Sequence, residues 1–295
     1  MTTPTAARPK LRGFIGIALV FVIAYVAVIV GYAQTTLNAG VSHASDPEPS
    51  GVGLDFVPTG ADPSLGTISG VLFITPGDDL TDDDGRLTKE LSIDIMPTLG
   101  TGSTVFKPGQ SIATMNVVLN AEGHVRNYPF DTLKSEVISA ASVRDSSSSP
   151  WIPIPISAGA SGELTGWNIS LSTPDSITLE GETFKTEDYY GIKVLDLRRA
   201  ESTISIALIV LFLMVLLAAF AVFVVVAYVR DRKKFEVGLT GWMGAMLFAL
   251  IPLRNFLPGA PPLGSWIDIL IVFWVQIVIM ASLAWYVGRW LRTRQ

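Results

Sequence analysis

The sequence of 295 residues is 49% hydrophobic and only 16% charged, whereas a typical soluble domain carries about 25% charged residues. It contains no cysteine, which excludes disulfide bonds, thiolate metal sites and cysteine nucleophiles. The formal net charge of −5 averages two unlike parts of the chain, because most charged residues lie outside four long apolar segments.

The first apolar segment, residues 13–33, follows a tail, residues 1–12, that carries Arg8, Lys10 and Arg12. Two interpretations compete, a cleaved signal peptide and an uncleaved transmembrane helix. The segment is long enough to cross about 30 Å of hydrocarbon, whereas the apolar part of a signal peptide has roughly 7–15 residues. We therefore favour an uncleaved anchor.

The region after this anchor is rich in turn-forming and strand-forming residues. Residues 34–63 contain many Pro, Gly, Ser and Asp residues and are interpreted as a linker. In residues 64–202, short apolar segments separated by turn signals predict an extracytoplasmic all-β domain, an antiparallel sandwich inserted between helices 1 and 2. Prolines confine residues 151–156 to an extended or edge segment. The predicted strands are residues 65–75, 87–96, 112–120, 133–139, 164–173 and 189–197.

Three further apolar segments bring the number of predicted transmembrane helices to four. Gly241, Ala245 and Ala249 recur every four residues and predict a face for close helix packing, within the chain or between subunits. Gln276 lies near the middle of the last span and is predicted to hydrogen-bond a neighbouring helix. The spans are residues 203–229, 237–253 and 269–287, with an outer linker at 254–268 and a tail at 288–295.

Basic residues predict the orientation of these spans. The two tails carry three Lys or Arg residues each and the link 230–236 carries four, whereas the linker 254–268 has only Arg254. By the positive-inside rule, both termini lie in the cytoplasm and residues 34–202 lie outside. That outer segment holds 23 acidic and 10 basic residues. The sequence thus predicts a multi-pass protein of a bacterial cytoplasmic membrane.

Motifs for catalysis or metal binding are not found. The acidic residues 78–85 resemble a calcium loop, but an EF-hand with Gly85 at its sixth position would place Leu80 and Leu91 where carboxylates are required. A solvated hairpin turn is therefore favoured. His43 and His124 lack a second ligand at metal spacing. We expect no enzymatic activity, no cofactor and no nucleic-acid partner.

Two motifs are more specific. Tyr128-Pro129-Phe130-Asp131 predicts a turn with a buried aromatic ring and a carboxylate. The linker 254–268 contains three prolines and two glycines and begins and ends with Arg254 and Asp268. A carboxylate at the mouth of a span is costly unless it is paired or solvated. These two residues therefore form either an ion pair that closes a helical hairpin or two separately hydrated charges.

With these motifs the chain resembles an uncharacterised family of bacterial, mainly actinobacterial, membrane proteins defined by a domain of unknown function. Its members have an N-terminal span, an outer β domain with a Tyr-Pro-Phe-Asp turn and three C-terminal spans. They also share an Arg-Asn…Pro-Gly-x-Pro-Pro-x-Gly…Asp linker, which residues 254–268 match. The resemblance implies a topology but no activity.

The chain also faintly resembles pentameric ligand-gated channels. These carry a Phe-Pro-Phe-Asp turn, basic residues before the first pore-domain helix, and a Leu-Pro linker leading to an Asp. Residues 128–131, Arg198, Arg199 and residues 257–268 take these places here. The chain departs from the channels in its extra first span and in Thr240, which is the only clear polar residue of the would-be pore helix.

From these observations we expect a non-enzymatic integral cell-envelope protein. Its expected role is that of an accessory or scaffolding subunit of a membrane complex, for example an envelope transport system, whose outer β domain binds a partner. Membrane lipid and other membrane-protein subunits are the expected partners. The alternative is a channel-like homo-oligomer.

Overall fold

The computed structural model describes Val26, Ile29 and Val30, and residues 46–112, 114–179, 181–185, 191–230, 236–259 and 261–293. Val26, Ile29 and Val30 are helical, and the rest of the predicted first span lies outside the described residues. The chain divides into two compact units. The β domain comprises Asn38–Ala200 and Pro261–Ile267, and the helical unit includes Glu201–Ala260 and Asp268–Gln295.

The β domain contains thirteen strands among its described residues. Each of the six predicted strands is present, as β2, β3, β5, β7, β10 and β13. The bounds are β1 Val52–Asp62, β2 Thr67–Pro76, β3 Glu90–Met96, β4 Ser103–Phe106, β5 Thr114–Asn120, β6 Glu122–Gly123, β7 Thr132–Arg144, β8 Ile152–Pro153, β9 Ile156–Ala160, β10 Trp167–Ser172, β11 Ser176–Leu179, β12 Glu182–Lys185 and β13 Ile192–Arg199.

Two sheets face each other. One has the strand order β5-β2-β1-β9, and the other has the order β10-β13-β7-β3-β4, with the short strands β6 and β8 also paired to β7. Every pairing is antiparallel except that of β1 with β9. Buried residues of both sheets, such as Ile68 and Leu91, form one hydrophobic core. The predicted antiparallel all-β domain is confirmed, with this one parallel pair as an exception.

The interpretation of residues 34–63 as a linker is wrong for its second half. Strand β1 lies there, between β2 and β9 in the first sheet. Val52, Leu54 and Phe56 alternate along it and are buried in the core. The alternation was masked by glycine and proline, which are rare in strands and dominate this stretch. Residues 34–45 lie outside the described part.

The segment at residues 151–156 is extended, as its prolines predict. Ile152 and Pro153 form the short strand β8 beside the end of β7, and Ile156 begins β9. Prolines are tolerated there because β8 lies off the main path of its sheet.

The helical unit contains three helices that are long and apolar enough to cross a membrane. Helix α1 is Glu201–Arg230 and α2 is Val237–Asn255. Asp268–Val272 forms a π-helical turn that leads directly into α3, Phe273–Thr293. These helices cover the three predicted C-terminal spans, and α3 includes most of the predicted tail.

The predicted small-residue face of α2 does not pack inside this chain. Gly241, Ala245 and Ala249 are all exposed. The buried residues of α2 are instead Met243, Met246 and Leu250, because larger side chains fill the space between these helices. Of the two arrangements predicted for the small face, only contact with another molecule is left.

Gln276 also differs from its prediction. Its side chain on α3 is half-buried, and no hydrogen bond joins it to the described part of the chain. Ser282, one of the buried polar residues of α3, bonds instead within its own helix, to the Val278 carbonyl at 2.7 Å. A serine hydroxyl is satisfied locally in this way, without reaching a neighbouring helix.

Candidate functional site

A buried ion pair lies where the β domain ends. Arg199 is the last residue of β13, and α1 begins two residues later at Glu201. Alternation along β13 places Arg199 on the same face as Leu195 and Leu197, which are in the core. A charge at such a position is costly unless a counter-charge meets it.

Asp131 supplies the counter-charge. The Nε of Arg199 donates to both carboxylate oxygens of Asp131, at 3.0 and 3.1 Å, and a terminal nitrogen donates to Oδ2 at 3.0 Å. The two side chains are 4% and 2% exposed. The strand register explains the match, because Arg198 of β13 pairs with Thr132 of β7 and so brings Asp131 beside Arg199. The fork of the guanidinium suits a carboxylate in this two-point geometry.

Two aromatic rings enclose the ion pair. The guanidinium carbon of Arg199 lies 4.0 Å from the ring centre of Trp167 and 5.5 Å from that of Tyr128. Trp167 is opposite Arg199 in the pairing of β10 with β13, and both rings are buried. Cation–π attraction favours this stacking, and the rings exclude water from the ion pair. We name Arg199, Asp131, Tyr128 and Trp167 the Arg199 cluster.

The other residues of the predicted turn and of the basic pair lie elsewhere. Pro129 is buried, and its peptide bond with Tyr128 is cis. Phe130 is 62% exposed at the tip of the turn. Arg198 points away from the core and bonds the Asp196 carboxylate at 3.1 Å. The structure thus joins Tyr128 and Asp131 to only one arginine of the pair.

A second buried ion pair lies in the helical unit. Arg254, in the last turn of α2, donates from Nε to Oδ1 of Asp268 at 3.1 Å and from a terminal nitrogen to Oδ2 at 3.0 Å. Their side chains are 12% and 4% exposed. Of the two arrangements expected from the sequence, the ion pair is the one formed. Gly259 and Gly264 adopt positive φ angles of 73° and 89°, which allow the intervening chain to turn.

A third cluster joins the opposite ends of the same helices. The Tyr286 hydroxyl accepts a bond from the Glu236 backbone N–H at 3.0 Å and donates to the Glu236 carbonyl at 3.2 Å. The Tyr228 hydroxyl donates to the Glu236 carboxylate at 3.1 Å. The rings of Tyr228 and Tyr286 meet edge to face, with centres 5.6 Å apart. The sequence analysis missed this cluster, since tyrosines near helix ends are usual in membrane proteins.

The acidic segment at residues 78–85 forms a turn. The Asp82 carboxylate accepts the backbone N–H groups of Asp84 and Arg86 at 3.0 and 2.8 Å. Gly85 has a φ of 73°, as such a turn requires. Across the described ranges, no group of three His, Cys, Asp or Glu side chains is placed to hold a metal ion.

The Arg254–Asp268 pair gives a first testable prediction. Arg254→Ala or Asp268→Ala leaves the remaining partner buried and unpaired, so we expect each change to lower the free energy of unfolding by about 1–3 kcal/mol. The double change should cost less than the sum of the two. Thermal melting in detergent measures the cycle.

The exposed pair of Lys89 and Asp145 provides the matched control. Their side chains are 44% and 68% exposed. Asp145→Ala should cost about 0–1 kcal/mol, because water solvates the remaining lysine. Strictly additive effects of the Arg254 and Asp268 changes would contradict the interaction.

Comparison with known families divides the chain near the Arg199 cluster. Residues 42–186 match the family described as Domain of unknown function (DUF4436), and residues 199–293 match Domain of unknown function (DUF8686). These matches are consistent with the uncharacterised family expected from the sequence. No curated protein matches the chain. Arg199 begins the second matched segment, whereas its partners Asp131, Tyr128 and Trp167 lie in the first.

Proposed function

We propose that this chain is a non-enzymatic integral cell-envelope protein that serves as an accessory or scaffolding subunit of a membrane complex. The observation that carries the proposal is the Arg199 cluster. The backbone N–H of Ala200, the next residue, also bonds the Gly166 carbonyl in the β domain at 3.0 Å. The chain therefore passes from the anchored end of β13 into α1 with no flexible linker. A scaffold that holds a partner at a membrane needs such a connection.

A surface of the β domain supports partner binding. Met96, Leu99 and Val105 lie on the hairpin of β3 and β4 and are each about half exposed. Strand β4 is at the edge of its sheet, so its outer N–H and C=O groups are available to pair with another strand. Edge pairing combined with apolar side chains is a common mode of peptide recognition. We name Met96, Leu99 and Val105 the hairpin patch.

The proposed location is a bacterial cytoplasmic membrane, with both termini inside and the β domain outside. The uneven distribution of basic residues supports this orientation. Exposed apolar side chains on the helices, such as Phe223 and Phe248, would contact lipid or other subunits.

Single cysteines test the orientation, because the chain has none of its own. In Ser146→Cys the thiol lies in the exposed loop after β7, and in Thr293→Cys it lies at the end of α3. On intact cells, an impermeant maleimide should label the first variant but not the second, and after lysis it should label both. The cysteine-free parent gives the background. Labelling of only the second variant on intact cells would reverse the proposed orientation.

A channel-like homo-oligomer is the second candidate. The observation that favours it is the exposed face formed by Gly241, Ala245 and Ala249. A Cβ atom added at Gly241 would meet no atom within 4 Å. Small residues at this spacing allow the backbones of two helices to approach closely. In a homo-oligomer this face would contact another subunit.

Native mass measurement after mild-detergent extraction from the source membrane separates the two candidates. For the accessory subunit, we expect a complex whose mass is not a multiple of 31.7 kDa. Leu99→Lys, which charges the hairpin patch, should release the partner, while Gly241→Leu should not. A homopentamer that Gly241→Leu dissociates and Leu99→Lys leaves intact would favour the channel-like oligomer. A lone chain for wild type would contradict both candidates.

A further inference from the structure

An apolar pocket lies between the two sheets of the β domain. It encloses about 480 Å³ of empty space, part of which is open to solvent. Small-molecule sites typically have roughly 300–1,000 Å³. The lining is mostly apolar and includes Phe56, Leu72, Val117, Leu171 and Leu195.

Two alanines of β9 leave this space. In the pairing of β1 with β9, Leu54 is opposite Ala158 and Phe56 is opposite Ala160, so both alanines share the inner face with core residues. Both also line the pocket. Protein interiors rarely keep apolar voids larger than a water molecule, because the surrounding atoms lose dispersion contacts. A retained pocket of this size is therefore suited to an apolar occupant.

A lysine lines the same pocket. Lys193 lies on the inward face of β13 with Leu195, whereas its neighbours Ile192 and Val194 pack in a separate cluster on the other face. The Lys193 ammonium group donates to the Thr173 hydroxyl at 2.7 Å. No carboxylate in the described part of the chain forms an ion pair with it. Because an ammonium group has three donors, it retains bonding capacity for an anion.

We propose that this pocket binds a single-chain amphiphile with a carboxylate head, that is, a fatty acid. The alkyl chain would lie among Phe56, Leu72 and Leu171, and the carboxylate would accept charge-assisted hydrogen bonds from Lys193. The pocket is one chamber between two sheets, which suits one chain better than the two chains of a phospholipid. This inference is independent of the proposed scaffolding function, because it concerns the interior of the β domain and not its hairpin patch.

The test uses the full chain in lipid nanodiscs. Dodecanoic acid carrying a diazirine near its methyl end is added, irradiated and mapped by mass spectrometry of peptides. Dodecanol with the same diazirine is the neutral probe. We expect acid adducts on peptides that line the pocket, counted relative to adducts on the helices, which report bilayer background. The neutral probe should give fewer adducts in the β domain.

Three variants sharpen this test. Lys193→Met should lower the acid adducts in the β domain about tenfold, as expected for one lost charge-assisted bond, and should not change those of the alcohol. Ala158→Leu should fill the pocket and reduce adducts of both probes. Lys185→Met, an exposed lysine on β12, is the matched control and should change nothing. A melting curve for each variant checks that it is folded.

Several outcomes would overturn the proposal. The first is no adduct in the β domain, and the second is equal labelling by acid and alcohol. The third is labelling by the acid that is unchanged in both Lys193→Met and Ala158→Leu. Equal labelling of the pocket by a diazirine phospholipid would assign it to a two-chain lipid instead. None of these results bears on the mass measurement of the scaffolding complex.

Discussion

Replacing Asp131 with alanine is expected to lower the free energy of unfolding of the β domain by about 3–5 kcal/mol. The guanidinium of Arg199 is 4% exposed and cannot lose its proton at ordinary pH. Without Asp131 it would stay buried with only the rings of Trp167 and Tyr128 against it, and cation–π attraction replaces only part of an ion pair. Domains have total stabilities of about 5–15 kcal/mol, so this one change would remove a large share.

Urea denaturation of residues 46–200 expressed alone measures this effect. Asp196→Ala is the matched control, because it removes an aspartate from the exposed pair with Arg198 and should cost about 0–1 kcal/mol. Asp131→Leu combined with Arg199→Met should be much more stable than Asp131→Ala, since no buried charge is then left unpaired. A loss below about 1 kcal/mol for Asp131→Ala would mean that water reaches Arg199.

The same reasoning explains which clusters the sequence predicts. Arg254 and Asp268 are 14 residues apart across a short linker with three prolines, so their meeting was one of two arrangements inferred directly. Arg199 and Asp131 are 68 residues apart, and their contact depends on the register of β13 against β7. No local pattern carries that register. Both residues were singled out, but their pairing was not predicted.

Strand prediction succeeded and failed for related reasons. Residues 91–95 alternate strictly and lie in β3, and the long apolar segments gave three helices close to their final bounds. Strand β1 alternates as well, but Gly53, Pro58 and Gly60 suggest a linker when composition alone is considered. The parallel pairing of β9 with β1 supplies the missing context, because it places β1 in the interior of a sheet. That pairing is not visible from either segment by itself.

Strand β1 also gives the prediction with the largest expected effect. A fragment of residues 46–200 should fold cooperatively, with a β-type far-ultraviolet spectrum and a sharp thermal transition, because its two sheets supply their own core. A fragment of residues 64–200, which corresponds to the original domain boundary, should be unfolded. The two fragments differ only in residues 46–63.

The physical reason is the position of β1 within its sheet. Removing it takes Val52, Leu54 and Phe56 out of the core and leaves β9 with no partner in the first sheet. Burial of each such side chain contributes about 1.5–3 kcal/mol, so the three together contribute about 5–9 kcal/mol. This loss is comparable to the whole stability of a typical domain, about 5–15 kcal/mol.

A synthetic peptide of residues 46–63 provides the control. Added to the 64–200 fragment, it should pair between β2 and β9 and restore the β-type spectrum, since strand addition to an open sheet supplies the missing hydrogen bonds. A peptide carrying Leu54→Asp should fail, because it places a charge in the core. Equally sharp melting of the 64–200 and 46–200 fragments would contradict the core role of β1 and restore the linker interpretation for residues 52–62.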